Sequence, residues 1–388
     1  MYSVSAYGAM IADETRMDSY ARALDRCVKP DSVVVDIGAG TGILALLACR
    51  LGARRVYAIE PSDAIRVGRD SAHANGYADR IQWIQDLSTR VALPERADVI
   101  VSDLRGCLPL HGDHVRAIAD ARCRFLAEGG TMIPQRDTLW LCPVESPDSY
   151  RQYTTPWLDN PYQLDMRAGH RLVINTWGKA RIAREQFLAT PERWATLDYR
   201  TIERPSISAR VTCAATRAGT AHGMSVWFDA TVAEGVEYST APHLKELVYG
   251  TAFFPWSEPV DVVPGDVITI DFRANLVGSD YVWQWHTDVR DQADPERVRA
   301  SFRQSTFLGV PYSAPQLRKR AAGFHPTLSK DGQLVRRTLN LMAGDATLEE
   351  VATCLLGEFP DRFDSHADAL AFVGDLSLKY SESSRNRA

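Results

Sequence analysis

"VVVDIGAGTGILALLACRLGARRVYAIEPSD", from Val33 to Asp63, reads as strand, glycine turn, helix, second strand and acid. The β-branched run Val33–Ile37 ends in Gly38-Ala39-Gly40-Thr41-Gly42, where glycines let the backbone approach a ligand without side-chain collision. The helix that follows presents free N–H groups to a polar or anionic ligand. Glu60 closes the second strand about 20 residues on, where an acid can accept both hydroxyls of a ribose. A dinucleotide fingerprint would read GxGxxG; here the third glycine comes one residue early, and Asp36 stands just before the turn. S-adenosylmethionine has no pyrophosphate to cradle, and its ammonium group wants a nearby acid. The spacing therefore favours that cofactor over NAD, with Thr41 inside the binding turn. The alternative is a structural tight turn in some other α/β domain.

Outward from this stretch, residues 1–135 alternate β-branched runs ("SVVVDIG", "RVYAIE", "IQWIQD", "ADVIVSDL", "GGTMIP") with helical ones ("GILALLACRL", "AIRVGRDSAHANG", "GDHVRAIADARCRFLAE"). That alternation predicts an α/β, Rossmann-like domain with a mostly parallel sheet covered on both faces. Residues 136–312 change to short β runs separated by turns, which predicts an antiparallel barrel or sandwich. Within it, "TPWLDNPYQLDM" breaks the strand pattern and projects, and "IAREQFLATPERWATLDY" reads as helical. "WQWHTD" sets Trp283 and Trp285 on one face of a strand and His286 on the other; the indoles either line a cleft or fill the barrel core. Residues 313–388 read as a small, mainly helical domain, with Asp345 or Thr347 capping its middle helix.

Composition narrows the function classes. The chain has 388 residues, 45% hydrophobic and 24% charged, which suits two or three globular domains. A net charge of -5 provides no electrostatic footprint for nucleic acid or an anionic membrane. No apolar run approaches the roughly 20 residues of a membrane span, and the N-terminus lacks a secretory pattern. Seven scattered cysteines without a CxxC pair read as reduced thiols of a cytoplasmic protein. The nine histidines form no HxxxH or HExxH arrangement, so no metal is expected.

Several stretches resemble the protein arginine methyltransferases. "MIADETRMDSY" is similar to that family's cofactor-closing helix, "VVDIGAGTGILALLACRLGARRVYAIE" to its cofactor motif, and "IPQRDTLWLCPVE" to its sheet-to-barrel crossing at Pro134. "WLDNPYQLDM" resembles the arm through which the family forms head-to-tail dimers, which implies a homodimer. The resemblance covers roughly residues 7–290. It implies that Met10, Arg16, Asp36, Gly38, Gly40 and Glu60 bind cofactor, with Asp86 meeting the adenine amino group. Taken alone, Arg16 is a solvated helix arginine; in this setting it pairs with the cofactor's carboxylate.

The departures bear on the substrate. Where the family clamps a guanidinium between two glutamates, this chain reads "SDLRGCLPLHGD". Asp103 falls at the first glutamate, Gly112 at the second with Asp113 beside it, and Arg105 replaces an apolar residue. The family's Thr-His-Trp loop is not recognisable near "LVYGTAFFPW". The expected catalytic acid is Asp103, just past the fourth strand, with Asp113, His111 and His114 as second choices. The expected activity is methyl transfer to nitrogen or oxygen of a peptide or small metabolite. True arginine methylation and a non-catalytic cofactor- or peptide-binding scaffold are the alternatives. The tail from His325 is similar to PqqD-like domains, which implies capture of a leader peptide along a β edge; the other reading is a helical dimerisation or lid appendage.

Overall fold

The computed structural model describes residues 3–294 and 296–381. The chain divides into two units, Met1–Pro311 and Tyr312–Ala388.

The first unit opens with helices α1 (Val4–Ala12) and α2 (Glu14–Cys27). Next come β1 (Val33–Ile37), α3 (Ile43–Arg50), β2 (Arg55–Ile59), α4 (Ile65–Ala74), β3 (Ile81–Ile84), β4 (Ala97–Ser102), α5 (His114–Phe125) and β5 (Leu126–Ile133). The five strands pair in parallel in the order β3-β2-β1-β4-β5. β1 is buried along its whole length, as expected of a strand covered on both faces. The chain leaves β1 in one direction for β2 and reaches β4 on the other side, so the crevice for a ligand lies beyond the carboxyl ends of β1 and β4. The α5 helix stops at Phe125, earlier than its apolar pattern predicts, because Leu126 already pairs with Ala97 of the sheet.

Past Ile133 and Pro134 the chain becomes antiparallel: β6 (Arg136–Val144), α6 (Pro147–Leu158), α7 (Arg167–Val173), β7 (Gly178–Ala180), β8 (Glu192–Asp198) and β9 (Ile207–Ala214), then β10 (Gly219–Ala233), β11 (Val236–Ser239), β12 (Thr251–Val262), β13 (Val267–Val277), β14 (Asp280–Arg290) and β15 (Val298–Ser305). They form two sheets, β7-β12-β10-β6-β8 with β11 on β10, and β15-β14-β13-β9. An aromatic core fills the space between, with Phe272 4.4 Å from Trp194 and 5.4 Å from Trp283, and Phe254 5.3 Å from Trp285. Trp283 and Trp285 are therefore core residues and do not line a cleft, while His286 sits half-buried on the opposite face.

The helical expectation for Ile182–Tyr199 is wrong. Only Arg184–Gln186 makes a helical turn, and Glu192–Asp198 is strand β8. Pro191 cannot continue a helix, and Trp194, at a bulge in the pairing with β6, and Leu197 are drawn into the core, where the Trp194 indole donates to the Phe272 carbonyl at 3.1 Å. The arm between α6 and α7 does leave Tyr162 78% and Leu164 63% exposed.

The second unit holds α8 (Ala314–Arg320), α9 (Lys330–Met342), α10 (Leu348–Glu358) and α11 (His366–Tyr380) around Leu334, Val351, Leu355 and Val373. Thr347, not Asp345, caps α10, accepting from Glu350 N–H while the Glu350 carboxylate bonds back to Thr347 N–H. Among the described residues this unit contains no strand, so the β edge implied for a leader peptide is missing. The PqqD-like reading of the tail therefore falls.

Candidate active site

The glycine turn sits at the carboxyl end of β1. Gly38 and Gly40 have φ of +70° and +54°, a left-handed backbone that side chains rarely adopt. A Cβ at Gly40 would stand 2.5 Å from the Tyr7 ring of α1, so the turn needs glycine for packing as well as conformation. Thr41 is buried within the turn. Glu60 braces it from the end of β2: one carboxylate oxygen accepts from Gly40 N–H at 3.0 Å and the other from Ser62 N–H at 2.8 Å. A carboxylate has about four acceptor positions, so Glu60 retains capacity for further donors.

Asp36, beneath the turn, is 1% exposed, and the Ala45 backbone N–H approaches its carboxyl without closing a hydrogen bond to either oxygen. Burial pushes its carboxyl up to about 7; Glu60 and Asp103 add to the rise, against the Ala45 backbone N–H and Arg16. A buried, unpartnered carboxylate calls for a cationic or hydrogen-bond-donating ligand. Together with the glycine cradle and the spare capacity of Glu60, Asp36 fits the ammonium and ribose of S-adenosylmethionine.

Asp103 follows β4 directly and is held by three donors. Arg16 Nε and Tyr249 Oη both reach its Oδ2 at 2.6 Å, and Arg105 Nη1 reaches Oδ1 at 3.1 Å. Burial alone would raise the Asp103 carboxyl, but Arg16 and Arg105 hold it below the usual carboxylate range. Burial likewise opposes the charge of Arg16, and Asp103 outweighs it, so Arg16 stays protonated. Arg16 also donates to the Met10 carbonyl at 3.1 Å, tying α1 to α2.

Arg105 is completely buried and grips Asp137 of β6 with two bonds, 2.7 and 2.8 Å. Its remaining nitrogen donates to Tyr20 Oη at 2.7 Å, and its guanidinium lies over the Phe228 ring. Tyr199 Oη donates to Asp137 at 2.5 Å, and Tyr238 Oη donates to Tyr249 at 3.0 Å. Burial holds all four phenols (Tyr20, Tyr199, Tyr238 and Tyr249) well above their ordinary range, so they are neutral donors.

The other expected residues lie outside this network. His114 is buried at the start of α5, its Nδ1 2.7 Å from the Pro109 carbonyl and its ring against Tyr199. Burial and the nearby Arg105 push it down to about 4, so it is neutral at physiological pH. Asp113 is exposed and pairs with Arg116 at 3.4 Å, and His111 is exposed, lying over Gly106. Asp86 bonds the Leu87 N–H at 2.7 Å after β3, in partial exposure. Sequence reading missed Asp137, Tyr20, Tyr199, Tyr238 and Tyr249, which stand far from the loop along the chain. It registered Arg105 only as an intruder.

Residues 15–133 match the family described as ribosomal protein L11 methyltransferase (PrmA), and residues 135–288 match the arginine methyltransferase oligomerization subdomain. Among curated relatives, the probable protein arginine N-methyltransferase 6 of Arabidopsis thaliana is 32% identical over 235 residues, covering 58% of this chain and 54% of that protein. Human protein arginine N-methyltransferase 2 is 29% identical over 297 residues, covering 72% of this chain and 68% of that protein. The chain thus spans about half the length of the first of these relatives. In fold it is similar to the Trypanosoma brucei PRMT1 enzyme-prozyme heterotetrameric complex with AdoHcy, with a TM-score of 0.70 and 24% identity over 77% of this chain and 97% of that one. Arabidopsis thaliana protein arginine methyltransferase 10 has a TM-score of 0.69 and 22% identity over 78% and 98% of the two chains.

A Rossmann-like methyltransferase sheet followed by a two-sheet antiparallel domain defines the class. Within that class, the chain resembles the protein arginine methyltransferases in sequence and in fold.

The orphaned Asp36 yields a pH test. Its carboxyl is raised in the fold, so the folded protein holds a proton that the unfolded chain releases above about pH 4. Stability therefore falls as pH rises from about 4 towards 7, by a few kcal/mol at most. Asp36→Asn removes this dependence: its Tm should exceed that of the wild type at pH 8 and match it near pH 4. Equal melting curves at pH 8 would show that Asp36 has a partner.

Proposed function

We propose that this protein transfers the methyl group of S-adenosylmethionine to a nitrogen or oxygen nucleophile of a peptide or small molecule held beside Asp103. The observation that carries the reading is a charged, buried Asp103 at the carboxyl end of β4, facing the same crevice as the unpartnered Asp36. Residues 1–135 form the cofactor part, 136–312 the substrate and dimerisation part, and 313–388 a helical tail.

S-adenosylmethionine, when bound, supplies a methyl group on a sulfonium. Asp36 would hold its ammonium, Glu60 its ribose hydroxyls, Arg16 its carboxylate and Asp86 its adenine, with Gly38, Gly40 and Thr41 shaping the turn and Met10 the closing helix. The protein then positions a nucleophile in line and excludes water. A neutral nucleophile turns positive as it attacks, and the fixed negative charge of Asp103 stabilises that change and receives the proton. His114, neutral and bonded to the Pro109 carbonyl, supports the loop from behind. The names of the relatives support a second reading, in which the acceptor is arginine. A labelled-methyl assay over arginine and non-arginine peptides separates the two.

Unpaired cysteines support a reducing, cytoplasmic setting. No helix of the described residues is long and apolar enough to cross a membrane. The match to an oligomerization subdomain and the exposed Leu158, Tyr162, Leu164 and Met166 support a homodimer through the arm. Light scattering should show twice the chain mass at micromolar concentration; a monomer there would reject the dimer.

Two substitutions test the site. Asp103→Asn keeps the shape and loses the charge, so methyl transfer should drop about 100-fold or more while cofactor affinity stays nearly unchanged. Near-normal turnover would reduce Asp103 to a loop support. Glu60→Ala should weaken S-adenosylmethionine by at least about tenfold in a calorimetric titration, since bonds to a charged acceptor are worth about 1.5–3 kcal/mol each. Unchanged affinity would remove Glu60 from the ribose site.

A further inference from the structure

The acid meant for the acceptor already carries a guanidinium. Arg105 bonds Asp103 Oδ1 at 3.1 Å from two residues along the same loop, and its side chain has no exposure. It cannot swing away cheaply, because Asp137 would then be left charged and buried with only Tyr199 as partner. Arg16 differs. It sits on α2, bonds only Oδ2 of Asp103, and has the Met10 carbonyl as another partner. Moving Arg16 towards a cofactor would therefore free part of Oδ2, which Tyr249 still shares, and none of Oδ1.

A guanidinium acceptor needs two adjacent free oxygens for a forked bond, or a second acid. Both oxygens of Asp103 already hold a donor of this chain, Arg105 on Oδ1 and Tyr249 on Oδ2, and at the far end of the loop Gly112 carries no side chain while Asp113 turns to Arg116. The phenols beside Asp103 and Arg105 add no charge, since Tyr20, Tyr238 and Tyr249 are neutral. With Arg16 turned to a cofactor, Asp103 and Asp137 share Arg105 between them, so a cationic acceptor at Asp103 would be repelled by the Arg105 guanidinium already bonded to that acid.

We propose that Arg105 is a built-in guanidinium seated on Asp103, and that it restricts the acceptor to an uncharged nitrogen or oxygen nucleophile. The proposal rests on the methyltransferase reading of the same site. It makes Arg105 a specificity-determining residue that acts through the acid and not on the methyl group.

The test uses the full chain saturated with S-adenosylhomocysteine, titrated with acetyl-arginine amide and with acetyl-citrulline amide, its uncharged near-isostere. The wild type should reject the arginine probe. R105M alone leaves Asp137 unpaired, so the variant of choice is R105M/D137N, which removes one charge of each sign. Its affinity for the arginine probe should rise at least tenfold, with the citrulline probe nearly unchanged. R105Q/D137N, which keeps polar partners for Tyr20 and Tyr199, is the second variant if the first fails to melt cooperatively. Wild-type binding of the arginine probe as tightly as the citrulline probe would overturn the proposal. So would a folded double variant that still rejects arginine. A chain that takes up no S-adenosylhomocysteine removes the methyltransferase reading before any probe is added, and the proposal falls with it.

Discussion

The buried run of alternating charges, Arg16–Asp103–Arg105–Asp137, is the interaction on which the rest of the fold depends. It begins on α2, passes through the loop after β4 and ends on the first strand of the antiparallel part. Any one of these charges, left alone in the interior, would be strongly destabilising. Tyrosine hydroxyls satisfy the remaining positions, so the parallel sheet and the two-sheet domain are locked at this point by polar bonds as well as by apolar packing. The same helix and its cap add direct ties: Tyr20 Oη donates to the Ser102 carbonyl at 2.9 Å, and the N-cap Asp13 accepts from the Val248 N–H at 2.8 Å.

Two carboxylates in one crevice are pushed in opposite directions. Asp103 is held below its ordinary range by two arginines, while Asp36, without a closed hydrogen bond, is pushed up to about 7. Groups driven apart in this way take different tasks, one as a fixed negative charge and one waiting for a partner. The division is the basis of the proposed cofactor and acceptor ends. It also bears on how this loop departs from the arginine methyltransferases it resembles: an arginine two residues after Asp103 adds a donor to that acid and does not touch Asp36.

Much of the fold could be read along the chain, because local periodicity carries it. The fully apolar β1, the glycine turn and the placement of Glu60 and Asp103 at strand ends follow from short-range pattern, and the structure has them there. The reading failed where local pattern was ambiguous. Trp194 and Leu197 are spaced as on a helix face, and only a bulge in the pairing with β6 and burial between two sheets make Glu192–Asp198 a strand. The tail's helices were legible from caps and spacing, whereas its likeness to a peptide-binding module rested on a β edge that the described residues do not form.

The sequence by itself determined the class of fold, the glycine turn and the position of Asp103 after β4, since each depends on neighbours within a few tens of residues. Only the tertiary structure decided what that acid touches. Asp103 meets a helix 87 residues earlier and a tyrosine 146 residues later, and Arg105 meets an aspartate on another sheet. Charge pairing depends on distance in space, which residue spacing does not encode. A lone arginine in a loop therefore reads as an exposed cation until folding surrounds it with Asp103, Asp137 and Tyr20.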